Sequence, residues 1–198
     1  FGSYDWNYNL TLTSIKKLKN LNKDCLIVFG GANAEINMED NKVFLAKYPN
    51  IDYIVYGDGE KPFSNIIENY KRLGLCKEWR SKLKSIPIDG CRTLLDKKLI
   101  HGNPIDPVMN LMEIPSPYLT GVFDELLQDP VLMPILQNIR GCPYRCRFCV
   151  SGTQLGKIRN FSLERIKEEI TFLRHNAKNR VLRFSDDNFG IIKLFYPK

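Results

Sequence analysis

The sequence predicts an α/β chain, with helices and buried strands alternating first and a separate strand–loop–helix unit following. Three observations carry this. Short apolar runs alternate with segments of helical periodicity. Glycine pairs stand directly behind the first two runs. Three of the six cysteines crowd into one loop between a strand-like run and a helix. A strand covered on both faces reads as an unbroken apolar run, and such runs alternating with helices are the pattern of a doubly wound sheet.

The first helix is expected from Leu10 to Leu21, with Leu12, Ile15, Leu18 and Leu21 on one stripe. Asn22-Lys23-Asp24 ends it. Cys25-Leu26-Ile27-Val28-Phe29 is the first buried strand, with Cys25 in the core, and Gly30-Gly31 follows at once. A helix from about Glu39 to Lys47 stops near Pro49. Tyr53-Ile54-Val55-Tyr56 is the second buried strand, followed by Gly57-Asp58-Gly59-Glu60. Pro62 suits the first turn of the next helix. That helix runs to about Leu73, with Phe63, Ile66, Ile67 and Tyr70 turned inward. Ligands in such sheets bind outside the carboxyl ends of the strands. Glycine there allows positive φ or close backbone approach, although for either pair taken by itself a tight turn with no ligand is the slightly favoured reading.

From about Gly74 to Pro117 a connector is expected. Cys91 to Leu95 and Lys98 to His101 flank Asp96-Lys97 and read as a small hairpin. Pro104, Pro107, Pro115 and Pro117 mark an extended linker. Met133 to Arg140 reads as one strand. Gly152 and Gly156 mark a loop, and a helix opens at Ser162, a good N-cap with Glu164 in its first turn. Its inward face is Leu163, Ile166, Ile170 and Leu173. Val181 to Ser185 is the next strand and leads into Asp186-Asp187-Asn188. Acidic residues there suit a metal, acid–base work or plain turn capping.

Bulk composition narrows the function classes. With 43% hydrophobic and 26% charged residues among 198, a packed core is expected rather than disorder. No apolar run approaches the ~20 residues that span a bilayer, and no secretory signal precedes the first helix. Clustered thiols point to a reducing, cytoplasmic compartment and to metal rather than disulfides. The net charge is +7. Its lysines (Lys16, Lys17, Lys19; Lys82, Lys84; Lys97, Lys98) are dispersed rather than striped, so a solvated surface is expected and not nucleic-acid binding.

The chemistry lies in Gly141-Cys142-Pro143-Tyr144-Arg145-Cys146-Arg147-Phe148-Cys149. Thiolates spaced Cys-x-x-x-Cys-x-x-Cys can face one centre when the backbone loops around it, which suits a soft metal or an iron–sulfur cluster. Three ligands are one short of a closed zinc or cluster site, and an open position suits reactivity. A structural zinc site borrowing Cys91, His101 or His175 is the alternative. A ferredoxin-type cluster would want a fourth cysteine close behind, and none follows Cys149.

With the aromatic Phe148 before Cys149, the motif resembles the Cys-x-x-x-Cys-x-aromatic-Cys signature of radical S-adenosylmethionine enzymes. The resemblance implies that Cys142, Cys146 and Cys149 bind three irons of a 4Fe–4S cluster, and that S-adenosylmethionine chelates the fourth. A reduced cluster then cleaves the sulfonium to methionine and a 5′-deoxyadenosyl radical. It implies contacts to S-adenosylmethionine from Phe148 and, at the end of the second barrel strand, from Asp186, Asp187 and Asn188. These three stand where the family usually has Gly-Gly-Glu.

The N-terminal part is similar to the flavodoxin-like cobalamin-binding domain that precedes many such cores. Phe1-Gly2-Ser3-Tyr4-Asp5-Trp6-Asn7, Val28-Phe29-Gly30-Gly31 and Ile51 to Glu60 carry that likeness. It implies that Ser3, Gly30, Gly31, Gly57 and Gly59 line the groove for the cobalamin nucleotide tail. No Asp-x-His-x-x-Gly occurs, and His101 and His175 fall outside this part, so no lower cobalt ligand is implied. Ile114 to Gly121 resembles the segment joining the two domains.

The expected organisation is therefore a partial cobalamin-binding domain (1–75), a linker with a small hairpin (76–130) and the first βα units of a radical S-adenosylmethionine partial (β/α) barrel (131–198). A chain of this extent is expected to be a fragment, inactive alone. The implied function is cobalamin-dependent methyl transfer to carbon. The alternatives are a cobalamin-associated radical rearrangement or ring formation, and a non-catalytic zinc or iron–sulfur binding module. The implied partners are a small-molecule or peptide substrate and a reductant such as flavodoxin or ferredoxin.

Overall fold

The computed structural model describes residues 1–31, 34, 38–74, 76, 78–144, 146–147, 149 and 158–191. The chain divides into two compact units, Phe1–Pro107 and Val108–Lys198.

The first unit carries helix α1 (Tyr8–Leu21), strand β1 (Val28–Phe29), α2 (Met38–Lys47), β2 (Tyr53–Val55), α3 (Glu60–Leu73), α4 (Trp79–Ser85), β3 (Cys91–Leu95) and β4 (Lys98–His101). The sheet order is β1-β2-β3-β4. β1 and β2 are parallel, with Val28 opposite Tyr53, and β3 and β4 add as antiparallel strands. Gly2 bridges to Gly30 in parallel on the far side of β1.

Alternation along β1 and β2 sends successive side chains to opposite faces. Ile27, Phe29 and Ile54 join Ile15, Phe44 and Leu45 in one core. Tyr53 and Val55 join Ile66, Trp79 and Leu83 in the other. Helices thus cover both faces, as expected of a doubly wound sheet. The regular strands are shorter than the apolar runs. Cys25 lies outside β1 and is only partly buried against the first core. Phe63, expected inward, is 48% exposed, while Ile66 is fully buried.

The hairpin departs from the expected linker. β3 pairs with β2 through Ile54–Arg92 and Val55–Cys91, so residues 91–101 complete the first sheet. The single boundary after Pro107 replaces the expected breaks at 75/76 and 130/131. At the hairpin tip Asp96 and Lys97 have φ of 48° and 64°. Two positive φ values are what a two-residue turn of matching twist requires. Gly102 sits against the Ile88–Asp89 backbone, where an added Cβ would lie 2.3 Å from Ile88 C.

A buried carboxylate closes the amino end of β2. Asp52 is 1% exposed and lies 3.1 Å from Lys19 Nζ, 2.5 Å from an Arg80 nitrogen and 3.4 Å from Lys84 Nζ. The Ile27 N–H donates to it as well. Burial pushes its pKa up. The Ile27 N–H and the charges of Lys84 and Arg80 outweigh that and hold it below the usual carboxylate range. Asp52 thereby ties α1, β2 and α4 together.

The second unit contains 3₁₀ turns at Leu111–Glu113 and Leu126–Gln128, then β5 (Ile135–Leu136), β6 (Ile139–Arg140), β7 (Arg159–Asn160), α5 (Leu163–Asn176) and β8 (Arg183–Phe184). β5 pairs with β8 in parallel, and β6 pairs with β7 antiparallel. The strand expected from Met133 to Arg140 is thus two short ones, parted at Gln137-Asn138, because each half pairs with a different partner. The proline-rich segment is no free linker. Leu111 is fully buried with Phe161 and Ile166, and Arg159 donates to the Val108 carbonyl. Arg165, buried beside Glu169 at 3.1 Å, donates to the Ile114 carbonyl.

Ser162 caps α5 by accepting from the Arg165 N–H at 3.2 Å. Of the expected inward face, Ile166 and Leu173 are buried, whereas Ile170 is 38% exposed. It lines a cleft of ≈ 270 Å³ with Leu163, Ile166, Phe184 and Phe189. Among the described residues no helix is long and apolar enough to cross a membrane.

Candidate functional site

The cysteine loop leaves the end of β6 through Gly141, whose φ is 94°. A β-carbon is disfavoured at that angle, so glycine suits the sharp departure. Cys142 and Cys149 are half-buried and Cys146 is exposed; all three thiols are free. The Cys149 N–H donates to the Cys146 carbonyl at 3.1 Å and closes a turn between them. Phe148 and the glycines 152 and 156 lie outside the described residues.

Behind the loop stands the end of β8, and here sequence reasoning missed the partners. Backbone pairing of β5 with β8 continues to the bond from Ser185 N–H to the Leu136 carbonyl, 2.8 Å. Side chains then take over. Asp186 accepts from the Asn138 N–H at 2.5 Å and the Ile139 N–H at 3.0 Å through Oδ1, and from Asn138 Nδ2 at 3.0 Å through Oδ2. Asp187 Oδ2 accepts from the Gly141 N–H at 3.1 Å. Asn188 Nδ2 donates to Cys142 Sγ at 3.7 Å. Three successive side chains thus bond in order along residues 138 to 142. Nothing in the sequence singled out Asn138; its only mark is that it interrupts an apolar run.

The entry into β5 is held similarly. Tyr118, 6% exposed, donates its hydroxyl to the Ile135 carbonyl at 2.7 Å, and the same hydroxyl oxygen accepts from the Ile135 N–H at 3.0 Å.

The donor set fits an iron–sulfur cluster by its chemistry: soft, free thiols on one loop, at the end of a strand. Among the described residues no three of His, Cys, Asp and Glu already stand close enough to share a metal ion. Of the fourth ligands that the zinc alternative would borrow, Cys91 is the poorest. Cys91 is 1% exposed, its thiol contacts the Pro62 carbonyl oxygen, and burial, with Asp89 adding to it, pushes its pKa up to about 12. A thiol so protonated is a poor ligand. His101 and His175 each place Nδ1 at a backbone carbonyl, of Gly102 and Thr171.

The second expected site lies at the carboxyl ends of the strands in the first unit. Ser3 is fully buried, its N–H donates to the Gly30 carbonyl at 2.7 Å, and its hydroxyl finds no hydrogen-bond partner among the described residues. Buried hydroxyls are rarely left unmet. Gly31 has φ of 92°, and a Cβ there would lie 2.7 Å from both Ser3 N and Ser3 O. Gly57 has φ of 72°, with open space where a Cβ would stand. A glycine cradle beside an unmet hydroxyl fits a polar ligand tail. Gly30 and Gly59 carry no such demand. Their added Cβ atoms would make ordinary contacts, at 3.5 Å from Val55 O and 3.8 Å from Val55 Cγ1.

Together the two units define an α/β protein with a glycine-lined strand end in one and a thiol loop at a strand end in the other. Comparison with known proteins gives this a kinship. The chain is 29% identical over 196 residues to the 2-(S-pantetheinyl)-carbapenam-3-carboxylate methyltransferase of Streptantibioticus cattleyicolor, covering 96% of this chain and 27% of the relative. It is 28% identical over 196 residues to the cobalamin-dependent radical SAM methyltransferase TokK of Streptomyces tokunonensis, covering 96% of this chain and again 27% of the relative. The radical S-adenosylmethionine methyltransferase TsrM of Kitasatospora setae, solved with cobalamin and a 4Fe–4S cluster bound, shares the fold. Its TM-score is 0.59 at 15% identity, over 94% of this chain and 34% of that one. No protein-family model matches. The chain thus has methyltransferases among its homologues, one of them by name a cobalamin-dependent radical S-adenosylmethionine enzyme, and it spans 27% of the length of each of these two.

Proposed function

We propose that the first unit belongs to a cobalamin-binding domain and the second to a radical S-adenosylmethionine core, and that the protein transfers a methyl group to carbon. The observation that carries this is the Cys142–Cys149 loop, rooted at a strand end and bonded to the polar end of β8. The homology to methyltransferases supports it.

Cys142, Cys146 and Cys149 would hold a 4Fe–4S cluster, and gathering of the three sulfurs would accompany binding, since ligation and local folding are coupled. With S-adenosylmethionine the cluster supplies a 5′-deoxyadenosyl radical, and cobalamin supplies the methyl group. Gly141 gives the loop its departure. Asp186, with both oxygens engaged, holds the loop's root. Asp187, exposed and accepting through Oδ2 from the Gly141 N–H, would contact the amino group of S-adenosylmethionine, and Phe148 would flank the same ligand. Ser3, Gly31 and Gly57 would admit the cobalamin tail, with Gly30 and Gly59 shaping the adjoining turns. The substrate is a small molecule or peptide, and a low-potential protein such as flavodoxin or ferredoxin is the electron donor.

Anaerobic reconstitution with iron, sulfide and competing zinc tests the metal assignment. The chain should take up four irons and acquire a reducible chromophore, and Cys146→Ala should abolish both. Preference for zinc would overturn the assignment. Retention of hydroxocobalamin through gel filtration, lost in Gly31→Val, tests the second site.

A further inference from the structure

Resting on the cluster assignment above, we propose that Asn188 tunes the reduction potential of the cluster by donating an N–H···S hydrogen bond to Cys142. Asp186 and Asp187 act as positioning residues that hold this bond in register.

Asn188 Nδ2 lies 3.7 Å from Cys142 Sγ, a contact made across 46 positions of sequence. It is the last step of an ordered series. β5 and β8 pair through Ile135–Arg183 and Leu136–Phe184. Past the backbone ladder, Asp186 reaches Asn138 and Ile139, Asp187 reaches Gly141, and Asn188 reaches Cys142. The carboxylates fix the backbone on one side of Cys142, so the amide meets the sulfur without having to search for it. A ligating thiolate can only accept, so it selects the nitrogen end of the amide.

The physical effect follows from charge. One-electron reduction of a cluster by an external donor, dithionite in the test below, increases negative charge on the cluster and its sulfur ligands. An N–H aimed at a ligand sulfur then binds the reduced form more strongly than the oxidised one, and the potential rises. Hydrogen bonds to sulfur are among the main levers on such potentials. The triad thus serves the cluster from behind.

The experiment is an EPR-monitored redox titration of the reconstituted full chain without S-adenosylmethionine. It compares wild type, Asn188→Leu, Asn188→Asp and Asn188→Gln at matched iron content. Asn188→Leu, which removes the donor at similar size, should make the midpoint potential more negative. Asn188→Asp, which points a carboxylate at the sulfur, should lower it further. Asn188→Gln, which keeps an amide donor, should lie closest to wild type. Equal potentials in all four loaded chains would overturn the proposal while leaving the cluster assignment intact. A wild-type chain that takes up no iron would instead overturn the assignment, and the tuning role with it. If Asn188→Leu does not assemble, Asn188→Asp, of the same shape as asparagine, decides by the same comparison with wild type.

Discussion

In the first unit the glycine turns emerge from a four-stranded sheet packed on both faces; in the second the cysteine loop emerges from two-stranded pairings. The first unit places its strand ends with apolar burial, each fully buried Ile or Phe side chain contributing roughly 1.5–3 kcal/mol. The second has too little ladder for that. Asp186, Asp187, Asn188 and Tyr118 supply hydrogen bonds where backbone pairing stops. Placement by a core tolerates polar changes at the surface. Placement by side-chain bonds fails when one carboxylate is removed.

The largest expected effect breaks the first unit at the buried ion group around Asp52. Asp52→Ala leaves Lys19, Arg80 and Lys84 facing each other without an anion, and should destabilise the unit by about 3–5 kcal/mol, the range for breaking a buried ion pair. Urea denaturation followed by tryptophan fluorescence, reporting on Trp79 in the second core of that unit, would measure it. The same group sets a pH dependence. Its folded pKa is depressed, so its contribution is complete above the unfolded carboxylate value of about 4 and is lost as pH falls through the folded value. Acid should therefore loosen wild type in a step that the variant lacks.

Next in size, Asp186→Ala removes the acceptor of three hydrogen bonds and should cost the second unit about 2–4 kcal/mol. Hydrogen exchange at Asn138 and Ile139 should accelerate, with the Tyr53 to Val55 amides unchanged. Equal acceleration in both units would contradict the division of labour.

Gly31→Ala introduces a Cβ at 2.7 Å from Ser3 N and O, at positive φ. It should cost about 1–3 kcal/mol of local strain and release the Gly2–Gly30 bridge, visible as lost protection of the Ser3 and Gly30 amides. The smallest effect is a gain. Lys97 holds φ of 64° without being glycine, so Lys97→Gly should stabilise the hairpin by about 0.5–1 kcal/mol, read as a raised melting midpoint.

Much of this was legible in the sequence. Unbroken apolar runs placed β1 and β2, the three-residue recurrence placed α1, and Ser162 marked the start of α5. The cysteine spacing marked the loop directly. The hairpin was seen but misplaced: nothing local says that Cys91 pairs with Val55 rather than standing free, because strand pairing is decided by tertiary partners. The split of residues 133–140 into β5 and β6 has the same cause. Phe63 and Ile170 show the limit of periodicity, which names a stripe but not how wide a surface covers it. The role of Asp186 was illegible because its partners are backbone N–H groups, which every residue carries.

The most direct test is the EPR spectrum of the reduced, reconstituted chain before and after S-adenosylmethionine is added. A 4Fe–4S signal that shifts on addition is expected, because three thiolates leave one iron free to take the ligand. A cluster spectrum unmoved by a saturating excess of S-adenosylmethionine would contradict the account.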